Sequence, residues 1–503
     1  MTYPKLCAGL SFLFAAFTCQ STFADESVLN FTGNSCSHSV IVTETGMADT
    51  TDLSQKIPID KCGMIIENQS SYLATDLYCD NTNLNADGAA LSLMQSTVDL
   101  NGKKIVFNNP PSVKTLNRGI FMTHDSKVYD GNKKGAVITG FYNGVDIYGD
   151  NNNLQEFSIE NTINGISING NNNKINHISA QNIGGVIDSQ ISMVMGEGKG
   201  FVVYGDYNKI LNTTTKNIGF NGDNLAESVA SMFGSAASIS ISGNHNIVDQ
   251  HNAENIYLLT KANRNAQATA SGIYIMGNYN SIENSYIKKI NASGTRILEQ
   301  GAQTGGIAYG ILLSNTPYEN GHNTAKCNTI NDVFAKGQKL TNPELPSFEI
   351  IAESYGIAGY YSNQQIKNNL IEKVDAKADV IKNSAGIRLV DFDHVVFDNK
   401  VIYIGQRSLA IKIMSSESVY VRGISIDASY SHIEDNQISD VLGYGISVSP
   451  VGSHNMIREN KSYNNTFYNY YEANDASDNQ NCRNDWISNN LENDNFYPPY
   501  CFK

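Results

Sequence analysis

A six-residue pattern, Gly-x-x-Asn-x-(Ile/Leu/Val), constrains this chain more than any other feature. It occurs at Gly149–Leu154, Gly170–Ile175, Gly205–Ile210, Gly243–Val248, Gly277–Ile282 and Gly452–Ile457. Short apolar runs with period two lie in front of the copies, such as Ile166-Ser167-Ile168, Ile239-Ser240-Ile241 and Ile446-Ser447-Val448. That period belongs to a half-buried strand and not to a helix. A second asparagine follows the first by nine residues in five copies, giving Asn152/Asn161, Asn173/Asn182, Asn208/Asn217, Asn246/Asn255 and Asn455/Asn464. The Gly277 copy has Lys289 at that place.

From Gly149 to Gly170 is 21 residues, which suffices for three short strands and three tight corners. One such coil cannot bury its apolar face, but stacked coils bury a continuous core. Asparagine tolerates the left-handed backbone region at a corner. Stacked on identical corners, its amides can bond up and down the pile. The expected fold is therefore all-β: a single-stranded right-handed parallel β-helix, a solenoid with lateral loop insertions. The asparagine ladders are read as structural.

The expected organisation is a secretion signal over 1–24, an N-terminal cap and first coils over 25–110, repeats over 111–465 and a C-terminal cap over 466–503. The signal reading rests on Lys5, the apolar run Leu6–Phe17 and the small residues around Thr22-Phe23-Ala24. It implies a secreted or periplasmic protein, with no later segment apolar enough to span a bilayer. Six cysteines would then remain: Cys36, Cys62, Cys79, Cys327, Cys482 and Cys501. Disulfides Cys482–Cys501 and Cys62–Cys79 are the favoured pairs, with Cys327 read as a free, buried thiol. The formal charge of −14 argues against nucleic acid, whose binding leans on Lys and Arg. It also argues against polyanionic glycans, unless a basic patch overrides the mean.

Two end segments carry a resemblance. One runs through Cys62-Gly63, Tyr72–Cys79 and Thr97–Ile105; the other is Cys482-Arg483-Asn484-Asp485-Trp486 up to Cys501. They resemble the first coils and the terminal cap of bacterial right-handed β-helix repeat proteins of the pectin-lyase-like superfamily. The resemblance implies the same fold and a polysaccharide or glycan partner, in a lyase, hydrolase, epimerase, adhesin or periplasmic accessory protein. The epimerases' Asp-Pro-His-Glu/Asp motif is not found here, nor an acidic cluster that maps onto a lyase calcium site.

The coils differ in length, and the extra residues, roughly 187–199, 221–237, 258–271, 291–308, 332–355 and 375–385, fall at one corner. Loops stacked on one face of a solenoid are often its binding face. Arg264, Arg296 and Glu299 lie in adjacent inserts, where an arginine could hold a substrate carboxylate and a carboxylate could move a proton. Glu353 is among the other insert charges. Asp391, Asp393 and His394 form the most chemical-looking string, suited to a proton or to calcium; the other reading makes them turn formers in place of asparagine. Tyrosine is abundant, 27 against one Trp. Tyr274, Tyr309, Tyr355 and Tyr360 fall near the inserts and could stack on sugar rings or simply cover coil edges. An enzyme needs converging ionisable groups, whereas a binder needs an aromatic, neutral groove.

Overall fold

The computed structural model describes residues 56–109, 116–189, 193–222, 229–297, 304–315, 321–339, 350–378, 381–405, 419–473, 483–490 and 496–497. The signal segment, Glu299, Cys482 and Cys501 lie outside the described residues. Three long sheets account for the fold. Sheet A holds 16 strands on its main path, sheet B 15 and sheet C 13, and each strand pairs with its counterpart one coil away. Pairing along each main path is parallel, for example Ile166↔Phe201 in sheet A and Ile175↔Ile210 in sheet B. Parallel strands joined by crossovers take the right-handed path. The chain is thus a right-handed parallel β-helix, and its strands continue to Phe496-Tyr497.

The alternating sequence dictates which side chains enter the core. Ile166, Phe201, Ile239, Ile273, Ile311, Ile357, Ile387 and Ile424 stack in one buried row, because in-register pairing places the same side of every strand inside. The first asparagine of each repeat sits between sheets A and B. Its side-chain oxygen accepts from the backbone N–H of the residue one coil earlier. Asn152, Asn173, Asn208, Asn246, Asn280 and Asn323 run in this way with N···O distances of 2.8–3.0 Å. All are buried, so each link removes a donor and an acceptor that would otherwise be stranded away from water. The second asparagine lies in sheet C with positive φ, and Asn255, Asn217 and Asn182 are amide-linked at 2.8 and 3.0 Å. Lys289, the exception in sequence, keeps the same backbone conformation and donates to Glu254 at 2.6 Å instead. A further inner ladder, Asn328–Asn369–Asn399–Asn436–Asn460–Asn489, lies between sheets B and C.

The described parts of the inserts are mostly strand and not loop. They lengthen the strands of sheets C and A, from three residues at Ser158–Glu160 to eleven at Tyr286–Arg296, and from six at Asn164–Asn169 to twelve at Asn265–Met276. The two extended sheets pack on each other as a lateral fin. Small residues at every second place make this work: Ala266, Ala268 and Ala270 face inward, as do Ala292, Ala335 and Ala352. A Cβ added to Gly306 would lie 2.1 Å from the Ala292 carbonyl oxygen, so the two backbones touch across the fin. The alternation of small residues in these stretches is a strand signal for close sheet packing.

The in-out alternation of sheet A changes phase where it leaves the coil for the fin, as at Gly310 between inward Ala308 and Ile311. The bend this makes runs through Gly165, Gly200, Ser238, Gly272, Gly310, Gly356 and Gly386, one residue per coil. At several of these glycines the next coil leaves no room for a side chain. A Cβ on Gly310 would meet the Gly356 oxygen at 2.4 Å, and one on Gly356 would meet the Gly386 oxygen at 2.5 Å. Cys62 and Cys79 are joined as a disulfide with Cα atoms 5.8 Å apart. Cys327 is itself disulfide-bonded and half-buried, which corrects the reading of a free, buried thiol.

Candidate functional site

Outward residues from both sides of the glycine row meet on the outer face of sheet A, in a strip that forms a crease between fin and coil. Tyr309 and Tyr355 come from the fin side, and Leu312 and Ala358 from the coil side. Together with Ala385 they form an apolar cluster separate from the main core, with Tyr274, Ile307 and Tyr360 packed against it. The four tyrosines named from sequence therefore meet at one place, supplied by three successive coils. Tyr309 and Tyr355 are buried, with ring centroids 5.6 Å apart, while Tyr274 and Tyr360 keep partial exposure. Burial pushes the phenols of Tyr309 and Tyr355 well above their ordinary range, so both are neutral hydroxyls.

Arg388 closes the downstream side of this cluster. It is next to Ala358 in the strand register and points outward. Its guanidinium lies over the Tyr355 ring at 5.0 Å and the Tyr360 ring at 5.8 Å. Nη1 donates to the Tyr355 hydroxyl, which also accepts from Asn383 Nδ2 at 2.8 Å. Two carboxylates share the same guanidinium: Asp427 is 3.3 Å from Nε and Glu353 is 3.9 Å from Nη1. Burial opposes the Arg388 charge, but the two phenols and two carboxylates outweigh it and raise its pKa further above the ordinary value. Glu353 was visible in sequence as one insert charge among many. Arg388, Asp427 and Asn383 were not marked by any motif; they become a group only through the register of sheet A.

The other residues named from sequence go elsewhere. Arg264 is exposed at the turn between Asn252–Ala262 and Asn265–Met276, at the fin tip. Arg296 is buried at the end of its strand, beside Ala262 in the register. The two do not face a shared open groove. Asp391, near the end of strand Ile381–Phe392, and Asp393, just beyond it, are exposed, with φ of 86° and 59°. His394 points inward instead and is fully buried. Its Nδ1 accepts from the Gln364 N–H at 3.4 Å, and its Nε2 lies 2.8 Å from the Val390 oxygen, which identifies the neutral Nε2–H form. Burial lowers its pKa to about 4, against the opposing bond to Val390. His394 occupies a slot of the asparagine ladder, and its own N–H donates to Ser431 Oγ at 3.1 Å. The Asp-Phe-Asp-His string therefore does not converge on one point.

Among the described residues, Glu434, Asp435 and Glu459 are the carboxylates grouped closely enough to hold a cation, with ligand atoms within 4.8 Å. Glu434 is already paired with His432 at 2.9 Å and Arg458 at 2.5 Å. A second aromatic array follows the corner between sheets A and B. Tyr207, His245 and Tyr279 stack at 4.8 and 5.0 Å with nearly parallel planes, and are exposed. Stacked in a column, these rings cover each other's faces and offer mainly edges to solvent.

No family model matches the chain, and no curated protein matches it. Among solved structures it is similar to the mannuronan C-5 epimerase A-module of Azotobacter vinelandii, at 11% identity over 74% of this chain and 85% of that chain, with a TM-score of 0.31. It is also similar to the catalytic domain of a GH87 alpha-1,3-glucanase in complex with nigerose, at 12% identity over 89% and 68%, TM-score 0.32. A third is an alginate lyase, at 10% identity over 78% and 82%, TM-score 0.33. At these scores the overlap assigns neither activity nor ligand.

Proposed function

We propose that this chain binds a polysaccharide along the crease on the outer face of sheet A, with Tyr274 and Tyr360 as the contact rings and Arg388 as the polar anchor. The observation that carries the reading is the convergence of four tyrosines and one doubly paired arginine in one strip. Aromatic rings with a polar tip suit sugars, which present both apolar C–H faces and hydroxyls. Sites for small or extended ligands are concave and mostly apolar, with a few fixed polar groups. The strip runs across the strands, so a long polymer can lie along it without leaving the rigid sheet. The expected secretion signal fits an encounter with polysaccharide outside the cytoplasm.

Binding is favoured over cleavage by the state of the two acids. Glycoside hydrolysis needs one carboxylic acid as proton donor and one carboxylate. Glu353 and Asp427 are instead both committed to the same Arg388 guanidinium.

The test is affinity electrophoresis of the mature protein in gels carrying a panel of neutral and acidic polysaccharides, alongside reducing-end and double-bond assays. Retardation by at least one polymer is expected. Tyr274→Ala and Tyr360→Ala should each weaken it about tenfold, as expected for an aromatic contact at the centre of a site. Retardation that neither variant changes would move the site elsewhere. New reducing ends would replace the binding reading with a catalytic one.

A further inference from the structure

Charge along the crease says which polysaccharides it takes. Cations on the outer face of sheet A are matched to carboxylates one after another. Arg118 is bonded to Asp146, and Lys199 to Glu197, in the coils before the tyrosine cluster. Arg388 is shared between Glu353 and Asp427 within the cluster. Asp146, Glu197 and Lys199 are buried, so these charges are committed to each other and not held out to solvent. Arg422 has no carboxylate partner among the described residues, but it too is engaged: it lies 4.9 Å from the centre of the Tyr420 ring and donates to Ser425 Oγ at 2.9 Å.

From this we infer that the crease selects an uncharged glycan and discriminates against the same polymer carrying carboxylates; the inference rests on the crease being the binding site. An anionic sugar laid beside Tyr360 would meet a guanidinium already neutralised twice over. To pair with Arg388 it would have to displace Glu353 or Asp427, and the displaced carboxylate would remain close by as a like charge. At the short distances and reduced dielectric of a partly buried site, such a clash outweighs a surface ion pair. A neutral sugar avoids it, because hydroxyls can donate to the same carboxylates without disturbing the ion pairs. Specificity here comes from a built-in repulsion as much as from attraction. The excess of acid over base in the whole chain points the same way but is not the cause. The cause is local pairing, which can be removed by substitution.

The experiment compares one neutral polysaccharide, the tightest binder in the panel, with the same polymer after its primary alcohols have been oxidised to carboxylates. Dissociation constants are read at low and high salt for the mature protein and for a Glu353→Gln/Asp427→Asn double variant. The wild type should bind the carboxylated polymer at least about tenfold more weakly than the neutral one, with little salt dependence for the neutral polymer. The double variant leaves Arg388 with its charge unspent, so the ratio should shift toward the carboxylated polymer by about tenfold, and that gain should fade at high salt. A loss of folding would remove binding of both polymers and is checked by circular dichroism; Arg388→Gln, which deletes the cation, then serves as the second variant and should not produce the shift. Equal or tighter binding of the carboxylated polymer by the wild type overturns the inference, as does a ratio unmoved in a folded double variant. If no polymer of either kind is retained, the binding site itself is overturned, which is a different failure.

Discussion

The corner ladders and the crease are built from the same stacked coils by opposite rules. At the corner between sheets A and B one residue type returns coil after coil, and each asparagine does the same job for the one before it. In the crease neighbouring coils contribute different residues: Ser240, then Tyr274, Leu312, Ala358, Arg388 and Ser425 in a single register row. Repetition gives stability that no single coil owns. Departure from repetition gives a local surface with its own chemistry. The solenoid therefore keeps scaffold and site apart on different edges of the same strands, and substitutions in the two places should fail in different ways.

The largest effect is expected in the ladder. Asn246→Leu removes the buried acceptor for the Asn208 N–H and amide and the donor to the half-buried Gly205 oxygen. A loss of about 3–5 kcal/mol is expected from stranding those groups, read as a drop in the denaturant midpoint. The glycine bend comes next. Gly310→Ala places a Cβ against the Gly356 oxygen and Ile330 Cγ2, at 2.4 and 2.5 Å. Forcing the coils apart should cost about 2–3 kcal/mol, and should also disturb the crease, which makes this the one substitution expected to damage both regions.

His394 sharpens the comparison through pH. Its folded-state pKa of about 4 lies below the ordinary 6.5, so the unfolded chain takes up the proton first as pH falls. Stability present above pH 6.5 is then lost between 6.5 and about 4, by about 3 kcal/mol at the low end. His251, buried in the stack at the other inner corner and also pushed well down by burial, adds a loss of the same sign. His394→Asn restores the residue found elsewhere in the ladder and should flatten, not abolish, the acid limb of a stability–pH curve. A steeper limb in the variant would contradict the assignment. The smallest effect on stability belongs to the crease: Tyr274→Ala, at a half-exposed position, should cost about 1 kcal/mol or less in the same denaturation assay while weakening polysaccharide binding.

The contrast also explains what could be read from the sequence. The Gly-x-x-Asn copies and the alternating Ile runs repeat, so the fold, the first ladder and the core rows were legible. The inner ladder ending in Asn328–Asn489 was harder, because its upstream slots hold Thr213, His251 and Ser285, different residues able to make the same kind of bond. His394 drew attention as chemistry for the same reason: it is a foreign residue in an asparagine slot. The inserts revealed where the surface changes but not how, since alternating Ala and Gly lack the large apolar side chains that mark a strand's period. The tyrosines were named singly, and the register of sheet A gathers them. Arg388 and Asp427 carry no local signal at all; they sit in separate coils, 39 residues apart, and only stacking makes them neighbours.

The most direct test of the crease is hydroxyl-radical footprinting of the protein with and without saturating polysaccharide, read by mass spectrometry at tyrosines. The molecule holds its own control, because Tyr207, Tyr279 and Tyr430 are exposed along the ladder corner. The account predicts that ligand lowers modification of Tyr274 and Tyr360 and leaves those three unchanged. Protection of Tyr207 and Tyr279 with Tyr274 and Tyr360 unaffected would contradict it.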